Sequence, residues 1–227
     1  MSIGDYKMLS GREVWKKLEE VSYSYSKDVV FTDWINLILY AYLSYTDNLI
    51  REPDKFKENL LKNNLNGKYE EEYKKIAIKY IDKNRHSRGI DSLKDAYGLL
   101  IKETLETQED ILGNIYMSMI STGHLGQFFT PSAMADLISD LAISEKKETV
   151  LDPCCGSGRF LISAFKKNNE SILIGTDLDA TCCKMAVINM ILFRANAEIT
   201  HGNSLSGENF TTWVIRKGLV YEKSNKM

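Results

Sequence analysis

The stretch "VLDPCCGSGRF" at residues 150–160 constrains the fold more than any other part of this 227-residue chain. An apolar run, "TVLD", ends on a carboxylate and enters a turn holding Gly156 and Gly158. A helical pattern then runs from Gly158 to Phe165. Two more strand patterns follow, "ILIGTD" and "AEITHGN". Between them the region Ala180 to Arg194 predicts a helix whose apolar side carries Met185, Ile188, Leu192 and, just beyond, Ala195. The order β-α-β-α-β implies an α/β fold with a parallel sheet and right-handed crossovers.

Residues 1–122 have a different texture, with almost no strand signal. Thr32 or Asp33 would cap a helix carrying Trp34, Leu37, Ile38, Ala41, Tyr42 and Tyr45 on one face. Pro53 stands where a helix can begin, ahead of Phe56, Leu60 and Leu61. "EEEYKKIAIKYI" places Tyr73, Ile76, Ala77, Tyr80 and Ile81 at helical spacing. A further helix is expected from Ser92, with Leu93, Ala96, Leu99 and Leu100, and another over 111–120, with Leu112, Ile115, Tyr116 and Met119 facing inward. These stripes read as core rather than as a cofactor box. The basic spot Lys83, Arg85, His86 and Arg88 reads as a solvated loop. The helical domain is therefore drawn at 1–122 and the α/β domain at 123–227, with the linker inside "STGHLGQFFTPS", which holds two glycines and a proline.

A formal net charge of -2 supplies no overall positive field for nucleic acid, so DNA binding by this chain alone is expected to be weak. The four cysteines come as adjacent pairs, Cys154–Cys155 and Cys182–Cys183. Neither has zinc-site spacing, and neighbouring cysteines rarely bridge each other. They read as small buried apolar residues in a reducing cytoplasm. The longest apolar run, around Trp34 to Leu43, is too short to span a bilayer, so no membrane role is expected.

The turn at 156–158 has the layout of a nucleotide site. Asp177 ends the next strand about 20 residues on, where a carboxylate can accept ribose hydroxyls. The turn is not G-x-G-x-x-G, and no Lys-Ser or Lys-Thr follows it, so dinucleotide and P-loop sites fit poorly. Asp152, just before the turn, can pair with an ammonium group such as the amino-acid end of S-adenosylmethionine. It can also simply cap the turn.

"GQFFTP" at 126–131, "DPCCGSGRFL" at 152–161 and "GTDLD" at 175–179 together resemble the N6-adenine DNA methyltransferase family, above all the modification subunits of type I restriction systems. "DILGNIYMSMI", "INMILF" and "HGNSL" continue the likeness, which covers roughly residues 105–205. The resemblance implies a Rossmann-like S-adenosylmethionine-dependent methyltransferase fold behind a helical N-terminal domain. It implies a cofactor site built from Gln127, Phe128, Phe129, Thr130, Pro131, Asp152, Pro153, Cys154, Gly156, Ser157, Gly158, Asp177, Leu178, Asn203, Ser204 and Leu205. In that pattern Phe128, Thr130 and Pro131 line the methionine end and Asp152 holds its amino group. Gly156 and Gly158 pass beneath the cofactor, Asp177 binds the ribose, and Leu178 packs on adenine. Asn203 stands where the family has an acidic residue; its amide oxygen can still accept a hydrogen bond from the adenine amino group.

The family holds its flipped target adenine with an Asn-Pro-Pro-aromatic tetrapeptide. These 227 residues contain only Pro53, Pro131 and Pro153, so that tetrapeptide is not among them. "NFTTWVIRKGLVYEKSNKM" reads instead as a hairpin with Gly218 in its turn. The resemblance places the first strand mid-sheet, so one edge would need covering by the hairpin, a second copy or a partner subunit. Three functions are open at this level. One is a cofactor-binding protein inactive alone, another is a portion of an active adenine-N6 methyltransferase, and the third is a non-catalytic interaction module. Its unobtrusive ending "YEKSNKM" favours a natural terminus.

Overall fold

The computed structural model describes residues 10–22, 24–81, 88–120, 129–144, 146 and 148–223. Helices come first: α1 (Arg12–Glu19), α2 (Lys27–Arg51), α3 (Pro53–Leu61), α4 (Lys68–Ala77), α5 (Gly89–Thr107) and α6 (Ile111–Ile115). A short 3-10 turn (Ile78–Tyr80) extends α4, and a π-helical turn (Tyr116–Ile120) extends α6. Then come α7 (Ser132–Ala142), β1 (Thr149–Asp152), α8 (Arg159–Lys167), β2 (Ile172–Asp177), α9 (Ala180–Leu192), β3 (Asn196–Asn203), β4 (Glu208–Arg216) and β5 (Leu219–Lys223).

The helix starts correct two expectations. The second helix begins at Lys27, not at Thr32 or Asp33, with Ser26 in extended conformation before it. Asp33 is buried within α2, where the Tyr80 hydroxyl donates to it at 2.8 Å and Lys79 at 3.1 Å. A carboxylate with two such partners is satisfied inside the fold, and neither partner is near in sequence. Likewise α5 starts at Gly89, three residues before Ser92. Pro53 occupies the first turn of α3 as its missing N–H favours. Leu112, Ile115 and Tyr116 are buried as their spacing predicts, whereas Ile81 is 43% exposed because the 3-10 turn breaks the α4 register.

The face of α2 formed by Trp34, Leu37, Ile38, Ala41, Tyr42 and Tyr45 lines an open cleft of about 310 Å³ together with Tyr73, Ile90, Leu93 and Tyr97. The Trp34 indole donates to the Leu93 carbonyl at 3.0 Å, and the Tyr42 and Tyr97 hydroxyls pair at 2.6 Å. Beyond this face, Leu39 and Leu43 of α2 pack with the sheet residues, and Met185 and Ile188 of α9 pack with the helices. The two halves of the chain therefore share buried surface.

The sheet runs β1-β2-β3-β4-β5. The β1–β2 and β2–β3 pairs are parallel, as the β-α-β-α-β pattern requires, with Asp152 beside Gly175 and Asp177 beside His201. The β3–β4 and β4–β5 pairs are antiparallel. Register slips between His201 and Gly202, where a Cβ on Gly202 would stand 2.5 Å from the Glu208 carbonyl. The expected hairpin is present. Its two-residue turn, Lys217 and Gly218, has φ of 51° and 92°, matching the twist that a tight hairpin needs.

The edge beside β1 needs the hairpin, a second copy or a partner subunit as cover, and the hairpin lies elsewhere. It extends the sheet from β3, while β1 lies at the opposite margin and pairs only with β2 among the described residues. Leu151 of β1 is 63% exposed there. The hairpin edge itself is covered, because the Val220 N–H donates to Thr46 of α2 at 3.3 Å and Tyr69 donates to Glu222 at 3.1 Å. Among the described residues no helix is long and apolar enough to cross a membrane.

Candidate cofactor site

Parallel pairing brings the C-terminal ends of β1, β2 and β3 side by side, the end at which open α/β sheets hold ligands. Asp152 closes β1 and Asp177 closes β2. The turn after β1 is fixed by two contacts to β2 and one within itself. The Cys155 N–H donates to the Thr176 carbonyl at 2.9 Å, Gly158 N–H to Cys155 at 2.8 Å, and Gly156 N–H to Asp177 Oδ2 at 2.8 Å. Gly156 and Gly158 both lie in the left-handed region, with φ of 53° and 84°. That conformation strains any residue with a Cβ, which explains the glycines. A Cβ on Gly156 would also stand 3.2 Å from the Phe129 ring.

Phe129 covers the turn from the other side. Its ring stacks on Tyr116, with centroids 5.7 Å apart and planes 14° from parallel. Burial, with Asp179, Cys182 and Asp177 adding to it, pushes the Tyr116 hydroxyl up to about 12, so it stays neutral. Thr130 and Pro131 are exposed beside it, and Pro131 precedes α7, its carbonyl accepting from Met134 and Ala135. Gln127 and Phe128 lie outside the described residues.

The two carboxylates behave differently. Burial raises the Asp152 carboxyl above its ordinary range, the Cys154 N–H opposes the rise, and Asp177 adds to it. No cation pairs with Asp152 among the described residues. Asp177 accepts from two backbone N–H groups, Gly156 and Asp179, at 2.8 and 2.9 Å. Asp179 caps α9 by accepting from Thr181 at 2.7 Å and Cys182 at 3.0 Å. Leu178 is 63% exposed at the rim, and Leu205 is 98% exposed. Asn203 Oδ1 accepts from the N–H groups of Leu205 and Ser206 at 3.0 and 3.3 Å. Its oxygen thus already closes its own turn. Ser204 is exposed next to it, as are Pro153 and Cys154 just after β1.

Cys154 departs from the expectation of buried cysteines, whereas Cys155, Cys182 and Cys183 are buried. Position explains the difference. Cys155 packs under Gly175, where a Cβ would stand 3.0 Å from its sulfur, while Cys154 is on the outer side of the turn. Burial pushes all three enclosed thiols up, Cys183 to about 12.

Ser157 is buried too, and its hydroxyl is turned to the interior. It donates to the Asp110 carboxylate. Asp110, with its side chain 1% exposed, also accepts from Arg159 Nε at 3.2 Å, Asn189 Nδ2 at 2.8 Å and the Gly113 N–H at 2.8 Å. Arg159 extends from there to the Thr130 carbonyl at 3.1 Å and to Asn114 at 2.6 Å. Gly113 is required at its place, since a Cβ would stand 2.5 Å from Ser157 Oγ and closer still to the Asp110 carboxylate. Asp110, Gly113, Arg159 and Asn189 were not singled out from the sequence. The one local signal is Asp110 three residues before Gly113, the spacing of a helix N-cap.

Comparison with known proteins adds the family. The family model described as N-6 DNA Methylase matches residues 107–221, just over half of the chain. The type I restriction enzyme MjaVIII methylase subunit of Methanocaldococcus jannaschii is 29% identical over 120 residues, covering 48% of this chain and 21% of that protein. The type II restriction enzyme and methyltransferase RM.BcgI of Heyndrickxia coagulans is 33% identical over 104 residues, covering 38% of this chain and 16% of that protein. A crystal structure of the type I restriction-modification methyltransferase subunit from Streptococcus thermophilus aligns with 81% of this chain and 56% of that one, at 13% identity and a TM-score of 0.36. A superposition of that quality carries no weight for the fold. The chain spans about a fifth of the length of the first curated relatives it matches. The glycine turn, the paired strand ends and the aromatic cover all fall within the matched span, and the chain belongs to the N-6 DNA methylase family.

Proposed function

We propose that this chain binds S-adenosylmethionine at the C-terminal ends of β1 and β2, in a Rossmann-like arrangement, and does not transfer the methyl group alone. One observation carries the reading. Asp152 and Asp177 close the neighbouring ends of β1 and β2 on either side of a left-handed glycine turn, and Asp152 has no cation among the described residues. A carboxylate held above its ordinary range by burial gains most from a positive partner. The amino group of the cofactor supplies that charge. Asp177 accepts from the ribose hydroxyls with lone pairs left over from its two backbone contacts. Leu178 gives the adenine an apolar surface, and Phe129 to Pro131 close the methionine end. When bound, the cofactor provides an activated methyl on a sulfonium; the chain's own residues bind and orient it.

Transfer to adenine N6 also needs acceptors for the amino hydrogens of a flipped base. The tetrapeptide that does this in the family is not among these residues, so the base pocket is assigned to other polypeptide. The open margin of β1 supports that assignment, because an unpaired strand edge with Leu151 exposed is a surface on which another strand, from a partner subunit or a second copy, can pair. On this reading the 1–122 helices buttress the site, and DNA contact comes mainly through the partner.

Equilibrium dialysis with methyl-tritiated S-adenosylmethionine, followed by addition of adenine-containing duplex DNA, tests both parts. Saturable retention without label in the DNA is expected. No retention by folded protein would refute the binding claim, and labelled DNA would refute the claim of incompleteness.

A further inference from the structure

We propose that Asp110 is a positioning residue that holds the glycine turn and the 129–131 segment of the candidate cofactor site in place relative to each other. These two pieces, the 156–158 turn and the 129–131 segment, are separated in the chain, and among the described residues no regular hydrogen-bond ladder joins them. Both are referenced instead to one short stretch, Asp110 to Tyr116. Asp110 holds the turn through Ser157. It holds Arg159, whose guanidinium reaches across to the Thr130 carbonyl and back to Asn114. Tyr116, one and a half turns further on, carries the Phe129 ring that covers Gly156. Asn189 completes the frame, giving one amide hydrogen to Asp110 and one to the Ser157 carbonyl, at 2.8 and 2.9 Å.

Such a buried charge is costly unless fully paired, and this one accepts from four donors. Its partners are drawn from α6, the glycine turn, α8 and α9. The cation among them, Arg159, also donates to the Thr130 carbonyl and to Asn114. Asp110 is itself buried, with its side chain 1% exposed, so its effect on a ligand is exerted through the backbone it fixes. The purpose of this frame rests on the cofactor reading, whereas its geometry does not.

Cysteines placed around the frame allow the two to be tested separately. In a Cys154→Ser background, Cys155 reports on the turn, and Cys182 and Cys183 report on the rest of the core. The variants are Asp110→Asn and the milder Ser157→Ala, each confirmed as folded by near-UV circular dichroism. Iodoacetamide labelling of Cys155 is expected to rise at least about tenfold, with Cys182 and Cys183 holding their rates. Affinity for S-adenosylhomocysteine is expected to fall about tenfold to a hundredfold, since small misplacements of a binding wall act on that scale. Equal acceleration at all three thiols would overturn the proposal, leaving Asp110 a general stabiliser. Unchanged Cys155 labelling in both variants would overturn it also. If the parent protein fails to bind S-adenosylhomocysteine, the cofactor reading falls, and the Cys155 rate relative to Cys182 and Cys183 still decides whether Asp110 orders the turn.

Discussion

Replacing Gly113 with alanine and replacing Gly98 with alanine are the same chemical change in two helices, and the structure predicts opposite signs. Gly98 is exposed in α5, and a Cβ there would meet nothing within 4 Å. Alanine should therefore return the ordinary helix-propensity gain of about 0.5–1 kcal/mol. At Gly113 the same gain is overwhelmed, because the new methyl occupies the space of the Asp110 carboxylate and stands 2.5 Å from Ser157 Oγ. The carboxylate must leave Ser157 and Arg159, or α6 must move away from the turn. Disrupting a buried, hydrogen-bonded ion pair costs about 3–5 kcal/mol, so the net loss is roughly 2–4 kcal/mol. For a chain of this size that lowers the melting midpoint by about 5–15 °C, while Gly98→Ala raises it by about 1–4 °C. Urea denaturation and thermal scans of the two variants beside the parent protein measure the difference. A Gly113→Ala midpoint at or above that of the parent would refute the account of Asp110 as a filled, obligatory hub.

Other outcomes follow from the same geometry. Gly218→Val should destabilise the hairpin by about 1–2 kcal/mol, because φ of 92° forces a Cβ into the following carbonyl, and a cost under a few tenths would contradict the turn described. Under native conditions a thiol reagent should modify Cys154 quickly and leave Cys155, Cys182 and Cys183 unreacted until denaturant is added; rapid reaction of three thiols would contradict their burial. The raised carboxyl of Asp152 means that ionising it weakens the fold at neutral pH, and that this penalty disappears as pH falls through the folded value toward the ordinary 3.8. Asp152→Asn should therefore be more stable than the parent at pH 7, with the advantage shrinking in acid, while cofactor affinity drops. A less stable variant at pH 7 would show that the carboxylate is better paired than described.

Local pattern made the second half of the chain legible. Strand limits at Thr149–Asp152 and Ile172–Asp177 match the apolar runs, and the turn glycines are recognisable because only glycine fits left-handed backbone between a strand and a helix. Even the hairpin could be read from "RKG" between two apolar runs. What local pattern could not supply was any feature set by distant partners. Asp33 resembles a cap until Tyr80 and Lys79 are brought to it from nearly fifty residues away, and α2 then runs through it. Asp110 sits in a stretch noticed only as a linking helix, because its partners Ser157, Arg159 and Asn189 follow by 47 to 79 residues. The need to cover the edge beside β1 was legible, but the hairpin, a second copy and a partner subunit all stayed open as its cover, and the hairpin lies at the other end of the sheet. Strand order depends on which neighbours are present, and the resemblance suggested strands on both sides of β1.

The central claim is that the β1 and β2 ends form a working cofactor site, and a calorimetric titration with S-adenosylmethionine, run on the parent protein and on Asp177→Ala, tests it most directly. The account predicts saturable one-site binding in the parent and none in the variant, with both proteins folded. Absence of binding in the folded parent, or equal binding in both, would contradict it.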